Sequence, residues 1–113
     1  MTDTSPPPRL QHVVLMSFPE TLSDTEDAEM HEMVRSFPRE IGTMTECRIG
    51  RDLTGERTRG YDYLLHTVFP GADALAAYVV HPAHQVLVRW LDVHDCQRLA
   101  FDYRLDEQTD AFA

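Results

Sequence analysis

A ferredoxin-like α+β fold of order βαββαβ is the architecture this sequence predicts. Three observations lead there. Four short runs are rich in β-branched and aromatic residues, and two stretches between them carry helical periodicity. Proline and glycine fall between these stretches as punctuation. At 113 residues there is room for one domain.

The elements follow in order. "LQHVVLMSF" (10–18) is too short for a good helix and stops at Pro19, so it reads as a strand. "SDTE" (23–26) is a capping box in which Ser23 and Glu26 satisfy each other's backbone N–H. Behind it Met30, Met33, Val34 and Phe37 repeat as one helical stripe, and Pro38 is expected to end or bend that helix after Phe37. "TMTECRIGRDL" (43–53) is a second strand, "TGERTRG" a charged loop, and "YDYLLHTVF" (61–69) a strongly patterned third strand. "GADALAAYVV" opens with Asp73 near a positive helix N-terminus. Pro82 then starts a second helical segment, "PAHQVLVRWLDVHD", that meets the first at His81. "QRLAFDYRL" (97–105) is the closing strand. Residues 10–105 form the domain; 1–9, with its proline run, and 106–113, short and polar, read as tails.

Strand alternation puts His12, Val14, Met16, Tyr63, Leu65 and Ala100 on one side of the sheet. Val13, Leu15, Leu64, Val68, Leu99, Phe101 and Tyr103 fall on the other. Both sides are apolar, and helices on one side cover only one of them. The uncovered side marks an association surface, so a homodimer is expected, two sheets facing each other as a dimeric α+β barrel. His66 falls on that side as an interface residue.

Composition excludes several classes. With 19 acidic and 10 basic residues the net charge is −9, which repels nucleic acid. No apolar run has the length of a membrane span and nothing resembles a signal peptide, so a cytoplasmic protein is expected. Cys47 and Cys96 lack CxxC spacing and read as reduced thiols. Phosphate loops, nucleophile elbows and paired-thiol motifs are missing. His81 and His84 stand at i, i+3, but no spacing recruits a third or fourth ligand, and no metal or other cofactor is expected.

"QHVVLMSF", "GYDYLLHTVFPGADALAAYVVHPAHQVLV" and "LAFDYR" together resemble the stress-responsive A/B barrel (Dabb) family of dimeric α+β barrels, over about 11–104. "YVVHPAH" is the most specific piece. Members of that family include plant stress proteins and a cofactor-free polyketide cyclase with a Tyr and a His lining an apolar pocket between sheet and helices. By motif position the resemblance assigns Tyr78 as polar anchor and His84 as general base. It maps the nearby aspartate of "FDY" to Asp102 and the His opening the first strand to His12. A His of ordinary pKa, about 6.5, exchanges protons at neutral pH. Asp102 alternates to the helix side, where a hydrogen bond to His84 would orient the ring. The expected lining is His12, Val14, Met16, Met30, Val34, Tyr63, Leu65, Leu87, Trp90 and Ala100. Three features depart from the cyclase: Pro38 in the first helix, Met30 and His31 for an aromatic pair, and Arg98 at an apolar wall position. Arg98 would narrow or charge the pocket, favouring a smaller or anionic ligand. Two readings follow. One is a cofactor-independent cyclase or lyase acting on a small carbonyl-rich metabolite. The other is a non-catalytic stress-responsive or ligand-binding dimer in which "HPAH" is structural.

Overall fold

The computed structural model describes residues 7–112; residues 1–6 of the expected N-terminal tail lie outside the described residues. The elements are β1 (Leu10–Ser17), α1 (Asp24–Glu40), β2 (Glu46–Arg51), β3 (Tyr63–Phe69), α2 (Ala72–Val80), α3 (Pro82–Val93) and β4 (Gln97–Arg104). The strands form one antiparallel sheet of order β2-β3-β1-β4, the ferredoxin-like arrangement. Its register sets His12 opposite Thr67 and Asp102, Val14 opposite Leu65 and Ala100, and Met16 opposite Tyr63 and Arg98. The helices cover this face. Its core is Met16, Phe18, Leu65 and Phe69 against Met30, Val34, Phe37, Tyr78, Leu87 and Leu91.

The capping box at Ser23 is formed: Ser23 Oγ accepts from Glu26 N at 3.1 Å and Glu26 Oε1 from Ser23 N at 2.9 Å. Pro38 does not end the helix, which runs on to Glu40. A proline leaves the carbonyl four residues earlier without its backbone donor. Here that carbonyl belongs to Val34, and the Cys47 thiol of β2 donates to it at 3.7 Å. The helix then closes at Gly42, whose φ of +73° suits a residue without a side chain.

The α2–α3 corner is built by the "HPAH" segment. His81 leaves helical geometry at φ −66° and ψ 139°, the conformation that Pro82 imposes on its predecessor. His81 Nδ1 accepts from Ala83 N at 3.0 Å and so caps α3, while Pro82 occupies the first helical turn.

The other sheet face is open. Leu64, Leu99 and Phe101 are 38, 54 and 64% exposed, and register places Val13 and Leu15 among them. Val68 lies on the same side but is buried. A polar line crosses all four strands here: Tyr103 donates to Gln11 Oε1 at 2.6 Å, Gln11 Nε2 donates to His66 Nδ1 at 2.7 Å, and His66 Nε2 donates to Glu46 at 3.2 Å. The chain ends beside the sheet are tied together, since Arg9 Nη2 lies 2.9 Å from Asp106 Oδ1 and Leu105 N donates to Arg9 O at 2.8 Å. Among the described residues no helix is long and apolar enough to cross a membrane.

Candidate active site

α1 packs against β2 and α3, and α3 stands off from the edge strand β4. The outer edge of the sheet is therefore left with a slot between α3 and the β1–β4 pair. Its volume is about 330 Å³, at the small end of the range for ligand pockets. The floor is His12, Val14, Met16, Leu65, Arg98 and Ala100, and the roof Val79, His84, Leu87, Val88 and Leu91. Two hollows are larger, one of about 530 Å³ on the open sheet face around Arg48 and Leu64 and one of about 440 Å³ beside Phe18, Glu26 and His94. The α3 slot is the one that combines apolar walls with two imidazoles and a guanidinium.

His84 is the third residue of α3, within its first turn, and turns back over the corner. Its Nδ1 bonds the Val79 carbonyl at 3.0 Å. A carbonyl only accepts, so the proton is on Nδ1 and the Nε2 lone pair is left over. Burial pulls the ring below its ordinary pKa; the Val79 bond opposes this, and the charges of His12 and Arg98 add to it. His84 is therefore a neutral base at neutral pH, of fixed tautomer, on the slot wall.

Asp102 does not bond His84, contrary to expectation. Its Oδ1 accepts from His12 Nδ1, its cross-strand partner. Nor is Asp102 buried: β4 is an edge strand, and the carboxylate is 49% exposed. The orienting group for His84 is the Val79 backbone, and the carboxylate–imidazole pair belongs to His12 on the opposite wall.

Tyr78 is buried completely, its ring centroid 4.3 Å from that of His84, 5.0 Å from Phe69 and 5.7 Å from Phe37. The hydroxyl does not open onto the slot, and among the described residues it has no hydrogen-bond partner. Burial, with a smaller contribution from Cys47, pushes its pKa far up, so it is a donor and never a phenolate.

The slot brings together His12, Val14, Met16, Leu65, Leu87, Ala100 and His84. Four expected lining residues are elsewhere, because α1 sits over the β2 side of the sheet and the slot lies under its β4 side. Met30 is core, and Val34 lines a groove with Cys47 and Ile49. Tyr63 donates to Asp27 at 2.6 Å and is pushed up to about 12 by burial and that carboxylate. Trp90 stacks on His94 at 3.9 Å and donates to Glu29 at 3.1 Å. Val79, Val88 and Leu91 belong to the slot instead. The signal for α3 was available in the stripe His84, Leu87, Val88, Leu91 at i, i+3, i+4, i+7. His81 and His84 have separate structural roles, since the Nδ1 of one caps α3 and the Nδ1 of the other bonds Val79.

These features define a ferredoxin-like α+β domain with an apolar, histidine-bearing slot between its last helix and the edge of its sheet. The chain belongs to the stress responsive A/B barrel domain family, whose model matches residues 10–105. It is 24% identical over 98 residues to olivetolic acid cyclase of Cannabis sativa, covering 83% of this chain and 94% of that protein. Among solved structures it superposes on a hydroxynitrile lyase from Passiflora edulis with a TM-score of 0.79 at 16% identity, over 93% of this chain and all of that one (100%). It also superposes on a dimeric ferredoxin-like protein from Jannaschia sp. CCS1 with a TM-score of 0.73 at 25% identity, over 86% of this chain and 99% of that one.

Proposed function

We propose that the slot is the active site of a cofactor-independent cyclase or lyase acting on a small carbonyl-rich molecule, with His84 as general base. The observation that carries this reading is the His84 ring, kept neutral by burial with its Nδ1 proton committed to Val79. Its Nε2 can then take a proton from the carbon next to a substrate carbonyl. The C–H electron pair moves to the carbonyl oxygen as an enolate. The enolate carbon either attacks a second carbonyl to close a ring, or its electron pair forms an α,β-double bond as the leaving group departs from the β-carbon. The imidazolium returns its proton to the oxygen or the departing group.

Tyr78 packs behind the imidazole, and its hydroxyl, unpartnered among the described residues and closed off from the slot, would reach a substrate oxygen only if the His84 ring swung aside. Asp102 acts through His12, holding that ring across the slot from the base. The relationship to a cyclase supports the reaction class. The active unit in this proposal is a homodimer closed through the open sheet face, supported by the exposed Leu99 and Phe101 and by the dimeric Jannaschia neighbour.

The test is deuterium incorporation at the α-carbon of a panel of small β-diketones and β-keto esters in D2O, followed by NMR. His84→Gln keeps size and polarity but removes the base. The wild type should exchange faster by roughly a hundredfold; equal rates would sink the proposal.

A second reading has its own support. The Val79 carbonyl accepts from His84 Nδ1 at 3.0 Å and from Gln85 Nε2 at 2.8 Å, a double tie between the end of α2 and the start of α3. In that reading His84 is a corner brace of a non-catalytic ligand-binding dimer. The same variant separates the two, because the brace predicts lost stability with unchanged ligand binding.

A further inference from the structure

We infer that the slot takes a carboxylate-bearing ligand whose anionic end is received by Arg98. This rests on the slot being a ligand site, as proposed above, and adds the chemical class of what enters it.

Arg98 stands on β4 opposite Met16, on the helix-facing side, and lines the floor of the slot. Its Nη2 donates to Asp92 Oδ1 at 2.6 Å. That ion pair pins the guanidinium between the end of α3 and the edge strand without consuming it, since a guanidinium carries about five N–H donors. The remaining donors can grip a carboxylate through two parallel hydrogen bonds, a geometry that ammonium groups do not offer.

The layout gives the ligand a direction. Along β4, Arg98 and Asp102 are four residues apart, about 13 Å in an extended strand. Along α3, His84 and Asp92 are eight residues apart, about 12 Å in a helix. One end of the slot thus holds His84 and His12 and the other Arg98, with Val14, Ala100, Leu87, Val88 and Leu91 between, while Asp102 and Asp92 pair with His12 and Arg98 from outside the lining. The nearby carboxylates are already engaged, one by His12 and one by Arg98. A ligand with an apolar middle and an anionic end matches this order: the anion at Arg98, the reacting carbon at His84.

The surrounding protein does not supply the attraction. At a net charge of −9 its overall field disfavours anions, so any preference for one must be local to Arg98.

The experiment compares 3-phenylpropanoate with 3-phenylpropanamide, which share size and shape and differ in charge. Binding to the full chain is measured by calorimetry and by NMR perturbation of the His84 ring. The anion should bind roughly tenfold or more tightly than the amide, and added salt should weaken only the anion. Arg98→Gln should bring the two affinities together, mainly by weakening the anion, and Arg98→Lys should keep part of the difference. Equal affinities in the wild type, or a preference that survives in Arg98→Gln, overturn the inference. The catalytic proposal fails separately. Anion preference without α-proton exchange leaves Arg98 standing and removes the base, whereas exchange without anion preference does the reverse.

Discussion

Replacing Tyr78 by phenylalanine should stabilise this protein. The change deletes one oxygen from a residue that is buried completely, and that oxygen has no partner among the described residues. A buried donor without a partner costs about 1–3 kcal/mol, and that penalty goes with it. Little is lost in return, since the ring remains against His84 at 4.3 Å, Phe69 at 5.0 Å and Phe37 at 5.7 Å. A gain of about 1 kcal/mol raises the melting temperature by about 4–8 °C in a domain of this size. Thermal melts at one fixed protomer concentration are the assay, because association also shifts the midpoint. Tyr78→Ala is the control: losing the ring from this cluster should cost about 3–5 kcal/mol. A Tyr78→Phe variant less stable than the wild type by more than about 0.5 kcal/mol would refute the reasoning, since the hydroxyl would then have a partner in solution. If the hydroxyl also serves a ligand, the stabilised variant should lose activity, the trade-off expected where a polar group is kept for function.

Two further outcomes concern His84 and the open face. The folded-state pKa of His84 lies below its unfolded value of about 6.5. The unfolded chain therefore binds its proton first, so the contribution is complete above about pH 6.5 and is lost as pH falls through the folded pKa. Urea midpoints at pH 7.5 and 5 should converge between wild type and His84→Gln; parallel profiles would contradict this. On the open face, Phe101→Asp puts a charge at a 64% exposed aromatic, so light scattering should show a dimer for the wild type and a monomer for the variant. An unchanged mass would move the interface elsewhere.

Much of the fold was legible because its signals are local. The capping box at Ser23 needs only residues three apart, and the corner at His81–Pro82 follows from what proline does to its neighbour. Alternation assigned the two faces correctly for Val14, Leu65 and Ala100 as for Leu99 and Phe101. The role of Pro38 was not legible: its effect depends on whether the freed Val34 carbonyl finds a donor, and the donor comes from a different element, Cys47 of β2.

The site divides in the same way. That a histidine would stand at the α2–α3 corner, over an apolar sheet face, is written in "YVVHPAH" and in strand alternation. Which carboxylate serves which imidazole is not. Asp102 and His12 are 90 residues apart in the chain and became partners through the β1–β4 register, while His84 turned to a backbone carbonyl. The position of α1 over the β2 half of the sheet, away from β4, likewise decided that Met30, Val34, Tyr63 and Trp90 pack away from the slot and that Arg98 lines it. Periodicity and capping are satisfied within a turn or a strand, so sequence alone determines them. The rotation of a helix and the pairing of distant side chains are settled only when all the layers pack at once.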